Sequence, residues 1–343
     1  MKKIYITICF LFFYTAMAHS GGSQDMKNRL EPYPVNVYPI SFPNNGTSYS
    51  FVYINEDTIF VYGSYDLFEV NVKTNRWNKI KRPENLVPTT FYRNLKYDKV
   101  TNSIYMFCQE GSRSHLLLSS EYLFYILHLD DYTWEAVDVL GKGMRNFYFD
   151  STNTLIYFFQ YTTTDSESGR GYITIYDLRK REIIDQVELS DDIHYVCLLY
   201  GSPLKVLAAI WNKEIDNGIN ELGSQNLFIY NISAGARIGY PEIDIKHDPD
   251  FFSISLLELI PVKEDGIFLG VKIEGERTKP ISKIVEMDLN TKTVKTVALD
   301  GFPYFIYNFQ QITDRKYGFM ISTYNRFGGP GPCYLCFMDL AYP

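Results

Sequence analysis

The residues of this chain that could do metal or redox chemistry include five cysteines, of which Cys9 lies in the apolar N-terminal stretch and two others are close together in Cys333-Tyr334-Leu335-Cys336. A Cys-x-x-Cys pair holds zinc only when a second pair of ligands completes the tetrahedron, and none lies nearby in the sequence. The stretch alternates like a β-strand, which places residues three apart on opposite faces. We therefore predict that Cys333 and Cys336 do not bond to each other. With Cys108 and Cys197 they are expected to be core thiols, long-range disulfides being the alternative.

Histidine and acidic residues give no metal-ligand pattern in the sequence. The five histidines are dispersed, and 247-HDPD-250 is more typical of a connecting loop than of a cation site. No Gly-x-Ser-x-Gly elbow, phosphate-binding loop or dinucleotide fingerprint is present. The sequence therefore predicts no cofactor and no metal, and it assigns no catalytic residue.

A repeated stretch organises the rest of the chain. Leu67–Ile80 reads as an alternating apolar strand, a polar turn and a second short strand, and this shape returns five more times. Neighbouring copies are 57, 49, 54, 57 and 51 residues apart. A strand-built repeat of roughly 40–50 residues is typical of a β-propeller with four strands per blade. The last apolar residues before the turns are Val72, Leu129, Leu178, Ile232, Leu289 and Leu340.

The repeats predict an all-β fold over residues 33–343, a six-bladed β-propeller with four-stranded antiparallel blades. Blade six has only three strands in sequence, whereas a spare alternating stretch, Tyr33–Phe42, precedes blade one. Its Pro34 and Pro39 are compatible with an edge strand and not with a central one. We therefore expect the N-terminal strand to close the last blade as its outer strand.

The connections between second and third strands are predicted to be the long ones. Antiparallel blades put all of them on one face of the ring, and loops on a rigid scaffold commonly carry binding residues. The sequence places them at 109–121, 162–171, 212–226, 274–282 and 324–332. Large aromatic and arginine side chains dominate binding hot spots. The ligand-binding residues predicted in or beside these connections are Trp211, Tyr324, Arg326, Arg113 and His115.

The N-terminus and the net charge limit the partners. Residues 1–18 combine a short basic region, an apolar stretch and an Ala-x-Ala site, which is the pattern of a cleaved signal peptide. We expect an exported monomer, secreted or periplasmic, with residues 19–32 as a flexible polar arm and no membrane-spanning segment after cleavage. The formal charge of −7, without basic runs, disfavours nucleic-acid binding. Asn45 and Asn231 stand in sequons that would permit N-glycosylation, and Asn45 is the better acceptor.

Blades one and two resemble the kelch-type propeller, the class that includes the central domain of galactose oxidase. The resemblance consists of 59-IFVYG-63 followed by 71-NVKTNRW-77, and of 104-IYMFC-108 followed by 130-DDYTW-134. The kelch double glycine is present only as Gly63-Ser64, so the resemblance implies architecture and no activity. The copper chemistry of galactose oxidase would need histidine ligands, and none of the five dispersed histidines forms a close pair suited to a metal.

Two classes of function remain. A secreted binding or scaffold module would present the long connections to a protein or glycan ligand. A secreted hydrolase or lyase would bring two carboxylates, or a carboxylate and a histidine, together at the mouth of the central channel. Because no catalytic motif is present, we favour the binding module.

Overall fold

The structure is a computed structural model, and its regular elements are β-strands. It describes residues 30, 33–39, 49–63, 66–84, 91–109, 122–137, 144–150, 154–162, 170–189, 195–201, 204–211, 214–216, 219–221, 225–233, 235–244, 248, 250–251, 253–255, 259–262, 266–276, 279–324 and 330–340.

Six four-stranded antiparallel sheets form the blades, which confirms the six-bladed β-propeller. The strands of blades one to three are β2 (Tyr49–Tyr53), β3 (Thr58–Gly63), β4 (Asp66–Asn71), β5 (Arg76–Lys79), β6 (Phe91–Asp98), β7 (Ser103–Gln109), β8 (Tyr122–His128), β9 (Trp134–Ala136), β10 (Met144–Phe149), β11 (Leu155–Thr162), β12 (Arg170–Asp177) and β13 (Glu182–Glu188). Within each blade the strands follow one another from the central channel outwards.

Blades four to six have the same strand order, except that blade four contains an inserted hairpin and the outer strand of blade six comes from the N-terminus. Their strands are β14 (Tyr195–Tyr200), β15 (Lys205–Trp211), β18 (Gln225–Asn231), β19 (Ala236–Asp244), β20 (Ile260–Pro261), β21 (Ile267–Glu276), β22 (Lys279–Asp288), β23 (Thr293–Phe302), β24 (Phe305–Gln311), β25 (Lys316–Tyr324), β26 (Pro330–Asp339) and β1 (Val35–Pro39). The insertion is a hairpin of β16 (Glu214–Asp216) and β17 (Ile219–Glu221) between β15 and β18. The N-terminal strand is β1, which is the outer strand of blade six.

The N-terminal strand closes the ring, as the sequence predicts. β1 pairs antiparallel with β26, and Val37 lies opposite Cys336. Tyr33, just before β1, donates a 2.9 Å hydrogen bond to the carbonyl of Gly301 in blade five. Leu30, at the end of the predicted polar arm, is buried in the same core. The first strand of the chain thus covers an edge that blade six would otherwise expose.

The repeated apolar position has the same backbone role in every blade. Its N–H donates a hydrogen bond of 2.8–3.2 Å to a carbonyl at the turn between the first and second strands. The six pairs, donor first, are Val72 and Asp57, Leu129 and Asn102, Leu178 and Thr154, Ile232 and Leu204, Leu289 and Gly266, and Leu340 and Arg315. The bond fixes the end of the third strand against that turn. The sequence period therefore marks one structural bond per blade.

The core lies in the spaces between neighbouring blades. Between blades two and three the rings of Phe107, Phe124, Phe147 and Phe158 have centroids 4.9–6.1 Å apart. Such edge-to-face and tilted contacts add to the hydrophobic gain from burying the rings. Each blade is consequently held by the sheet on either side of it.

Blade five has a shorter inner strand than the sequence predicts. Among the described residues of the expected strand at 252–260, strand pairing is limited to Ile260 at the start of β20 and to an isolated bridge between Ile254 and Lys272. Ser253 has a positive φ of 70°, which is incompatible with extended backbone. The alternating pattern of this stretch therefore predicts more strand than its described residues form.

The connection predicted at 274–282 is also shorter than expected. β21 and β22 pair as far as Glu276 and Lys279, so only residues 277 and 278 separate them. Gly275 has a φ of 84°, which glycine adopts without a steric penalty and which suits the end of a hairpin. The polar composition of this hairpin tip therefore predicts a longer loop than the structure has.

The described cysteine side chains are core thiols. Cys108 and Cys336 are free and buried, and burial raises the pKa of both thiols. Since Cys336 is free, the prediction that it does not bond to Cys333 is confirmed. Cys333 and Cys197 lie in β26 and β14, and their side chains are outside the described part.

Candidate functional site

The strand register shows which residues surround the end of the central channel. The first residue of an inner strand lies opposite the end of its second strand, as Tyr49 does opposite Gly63 and Phe91 opposite Gln109. The connections between second and third strands therefore leave the ring at the face where the inner strands begin. This face is termed the mouth face, and the opposite face, with the remaining turns, the turn face.

Two of the five predicted ligand-binding residues have described positions, and both are on the mouth face. Trp211 ends β15 opposite Gln225, and Tyr324 ends β25 opposite Pro330. They belong to blades four and six, so blade five separates them. Arg113, His115 and Arg326 lie outside the described residues, as does the sequon at Asn45. Asn231 ends β18 at the turn face and is partly buried.

Sequence reasoning missed the residues at which the inner strands begin. In five blades this position is large and aromatic or apolar: Tyr49, Phe91, Met144, Tyr195 and Phe305. The Phe305 ring is 37% exposed, whereas the next residue, Ile306, is fully buried. Aligning the repeats on their first strands, and not on their third, would have shown that these positions share a large aromatic or apolar residue.

On the turn face, polar side chains and left-handed residues shape the turns between third and fourth strands. In blade one, Asn71 Oδ1 accepts hydrogen bonds from the backbone N–H and the hydroxyl of Thr74, at 2.9 and 2.8 Å. Asn75 follows with a φ of 52°. Blade three repeats this with Asp177 as the acceptor and Arg181 as the left-handed residue, at a φ of 58°. These are Asx turns, in which the side chain replaces a backbone acceptor.

The left-handed residue of a turn can contact the preceding blade. Tyr132 of blade two, with a φ of 59°, donates a 2.9 Å hydrogen bond to Glu69 of blade one. Burial first, and then the Glu69 carboxylate, raise the pKa of Tyr132 to about 12. Arg181 of blade three lies 3.0 Å from the carboxylate of Glu135 in blade two. Both contacts link a turn between third and fourth strands to a strand of the preceding blade, β4 in one case and β9 in the other.

One histidine meets a carboxylate, but it does so on the turn face. His128 Nε2 lies 3.3 Å from Glu135, and its Nδ1 lies 3.1 Å from Ser103 Oγ. The arrangement has the composition of a Ser-His-acid triad. Ser103 is fully buried, however, and its hydroxyl donates to the carbonyl of Thr101 at 2.9 Å. A nucleophile must reach its substrate, so this group is a structural network.

Lys96, in the inner strand of blade two, is a partly buried lysine. It lies at a register shift in β6, and its amino group donates a hydrogen bond to Phe147 O. The amino group also lies 5.0 Å from the centre of the Phe147 ring and 5.9 Å from that of Tyr148. No carboxylate pairs with it among the described residues. Burial lowers the pKa of Lys96 to about 8.

Within the described ranges, no three His, Cys, Asp or Glu residues are grouped as a metal site would require. No helix in that part of the chain is long and apolar enough to cross a membrane.

Comparisons with known proteins show similarity at the level of the fold. No protein-family model matches the chain, and no curated protein sequence matches it. Among solved structures, an acylaminoacyl peptidase of Pyrococcus horikoshii is 9% identical, with a TM-score of 0.45 over 83% of this chain and 43% of the peptidase. An oligogalacturonate lyase in complex with manganese is 10% identical, with a TM-score of 0.48 over 83% of this chain and 74% of the lyase.

A chain of the Mitotic Checkpoint Complex is similar over 90% of this chain and 95% of its own length, at 9% identity and a TM-score of 0.49. This chain thus spans less than half of the peptidase. Fold, strand order and register define the class of the protein: it is a six-bladed β-propeller. Identities of 9–10% carry no conclusion about activity or substrate.

Proposed function

We propose that the chain is an exported binding or scaffold propeller whose mouth face takes a protein or glycan. The observation that carries the proposal is the exposed ring of Phe305 at the start of an inner strand, beside the channel mouth. Aromatic side chains supply large contact areas at little entropic cost, which is why they dominate binding hot spots. The second-to-third connections of blades two, three, four and six emerge around the same mouth.

Three expectations from the sequence belong to this proposal. The contacts in the connections would come from Trp211, Tyr324, Arg326, Arg113 and His115. Cleavage after residue 18 would release the mature protein outside the cytoplasm, which the mass of the N-terminal peptide would test. A kelch-type ancestry would account for the short motifs in blades one and two.

A direct test measures binding of the mature protein to an array of defined oligosaccharides and to biotinylated extracellular proteins. Phe305→Ala and Tyr324→Ala are expected to weaken binding by about 1 kcal/mol or more. Ile184→Ala is the matched control, because this residue is an exposed apolar side chain on the outer strand of blade three. Thermal melting of each variant separates lost binding from lost folding.

Two results would refute the proposal. One is unchanged binding of Phe305→Ala and Tyr324→Ala to every ligand that the wild type captures. The other is that, for every captured ligand, binding weakens only when turn-face residues are substituted.

A further inference from the structure

A polar groove of about 470 Å³ lies on the turn face, along the outer strands of blade one. This size is within the range of small-molecule sites. Its lining residues are Thr58, Glu69, Asn71, Arg76, Trp77 and Asn78. The groove belongs to the opposite face from the channel mouth, so an inference about it is independent of the proposed function.

Strand register explains why these polar side chains converge. Thr58, Asn71 and Arg76 lie opposite one another across β3, β4 and β5, and therefore share one face of the sheet. Glu69 and Asn78 are the next pair on that face. Trp77 alternates to the other face, where its ring packs edge-on against Phe68, with centroids 5.5 Å apart.

The acceptors of the groove already have donors. Tyr132 donates to Glu69 Oε1 at 2.9 Å, and the amide of Asn78 donates to Glu69 Oε2 at 3.3 Å. Asn71 Oδ1 accepts both hydrogen bonds from Thr74. The carboxylate and the Asn71 carbonyl are thus used by the protein itself, and the negative charge of Glu69 is partly offset by two donors.

Three other hydrogen-bond donors of the groove, by contrast, have no acceptors among the described residues. The Arg76 guanidinium is exposed and has no ion-pair partner among the residues described, and the Asn71 amide nitrogen and Thr58 hydroxyl donate to none of them. A guanidinium presents a planar fork that matches a carboxylate in two parallel hydrogen bonds. Amide and hydroxyl donors in the same row suit the neutral oxygens of a polyol. A ligand that fits must offer acceptors, one of them charged.

We propose that this groove binds a hexuronate unit, an acidic sugar whose carboxylate pairs with Arg76 while its hydroxyls accept from Asn71 and Thr58. A single inorganic anion would leave most of the groove empty, and a neutral hexose would leave the guanidinium unpaired. The ligand is held without covalent chemistry.

The test is titration calorimetry of the mature protein with glucuronate, galacturonate, glucose, galactose and acetate. The uronates are expected to bind at least about tenfold more tightly than the matching neutral hexoses and than acetate, because only they engage both the fork and the neutral donors. Arg76→Ala should remove this preference, whereas Arg76→Lys should retain part of it.

Asn71→Asp is the sharper variant. It keeps the oxygen that accepts from Thr74, and hence the turn, but replaces the donor amide with a second acceptor. Uronate binding should fall by about tenfold or more while the melting temperature is retained. Arg179→Ala, in the equivalent turn of blade three, is the control and should bind like the wild type.

Three outcomes would overturn the proposal. Equal binding of hexoses and uronates would remove the role of the carboxylate. Equal binding of acetate would reduce the groove to an anion site. Unchanged uronate affinity in Arg76→Ala would place the sugar elsewhere on the protein.

Discussion

Tyr132 and Glu69 are joined by a 2.9 Å hydrogen bond across the boundary between blades one and two, although 63 positions separate them in the chain. Arg181 and Glu135 are paired in the corresponding place between blades two and three. In both pairs the residue that reaches across has a positive φ, which costs a non-glycine residue about 1 kcal/mol or more. The contact with the neighbouring blade offsets part of that cost.

Removing the Tyr132 hydroxyl should weaken the contact between blades one and two. Tyr132→Phe is expected to lower the free energy of unfolding by about 0.5–1 kcal/mol at pH 7, since the side chain is 42% exposed and the bond is partly solvated. In the unfolded chain Tyr132 ionises near pH ~10. In the folded protein its pKa is raised to about 12, so its contribution is present below pH ~10 and is lost as the pH rises through 12. Urea titrations of both proteins between pH 7 and 12 should show the difference narrowing; a constant difference would contradict the assignment.

The backbone cost at Arg181 can be separated from its ion pair. Arg181→Ala loses the contact with Glu135 and keeps the strained φ, whereas Arg181→Gly loses the contact and relieves the strain. The glycine variant should therefore be about 1 kcal/mol more stable than the alanine variant in urea denaturation. Gly235 occupies the matching turn position of blade four with a φ of 59°. Gly235→Ala should therefore lower the free energy of unfolding by a similar amount. Equal stability of the two Arg181 variants would show that the turn carries no strain.

Lys96 should destabilise the protein at neutral pH. Lys96→Met removes an ammonium that has no carboxylate partner among the described residues, and we expect a gain of roughly 1–3 kcal/mol at pH 7. The unfolded lysine titrates near pH ~10.4, whereas burial lowers the folded pKa to about 8. Between these values the folded protein has released a proton that the unfolded chain keeps, so the wild type becomes relatively more stable as the pH rises. The advantage of Lys96→Met should thus fade between pH 8 and 10.4 in chemical denaturation. An advantage that does not change over this range would show that the amino group is fully solvated and keeps its ordinary pKa in the folded protein.

The closing strand offers a matched pair of substitutions at neighbouring positions. Val37 packs against the core between blades five and six, whereas Asn36 is exposed. Val37→Asp should lower the free energy of unfolding by about 2–4 kcal/mol, because it brings a charge to an apolar site. Asn36→Asp should change it by less than about 0.5 kcal/mol. Similar melting temperatures for the two variants would mean that β1 is not docked in solution.

The architecture could be predicted because one position carries a periodic constraint. Val72 and its five equivalents each follow the third strand directly and pack against the core, so an apolar residue recurs after each of these strands. Blade five was mispredicted for a local reason. Ser253 has a left-handed backbone, and the inner strand β20 has two residues. The neighbouring strand β21 is crowded against this segment, because a Cβ atom at Gly270 would lie only 2.7 Å from the Leu259 side chain. No alternation of residue types reports such crowding.

The groove on the turn face could not be predicted from the chain. The sequence predicts only a turn and a short strand of blade one at these residues, and Arg76 and Asn71 are ordinary residue types for such places. They are distinguished by the hydrogen bonds of the neighbouring Glu69, whose carboxylate already accepts from Asn78 and from Tyr132 of blade two. That arrangement exists only once the blades are assembled.

The pairing of β1 with β26 also has a consequence for biosynthesis. During synthesis, β1 has no pairing partner until Pro330–Asp339 has been made. Ring closure therefore depends on a contact between the two strands that are farthest apart in the sequence. Cys336 lies on the joining strand and is inaccessible once the ring is complete. Its thiol is therefore an internal reporter of assembly, reactive toward a maleimide in an open ring and protected in a closed one.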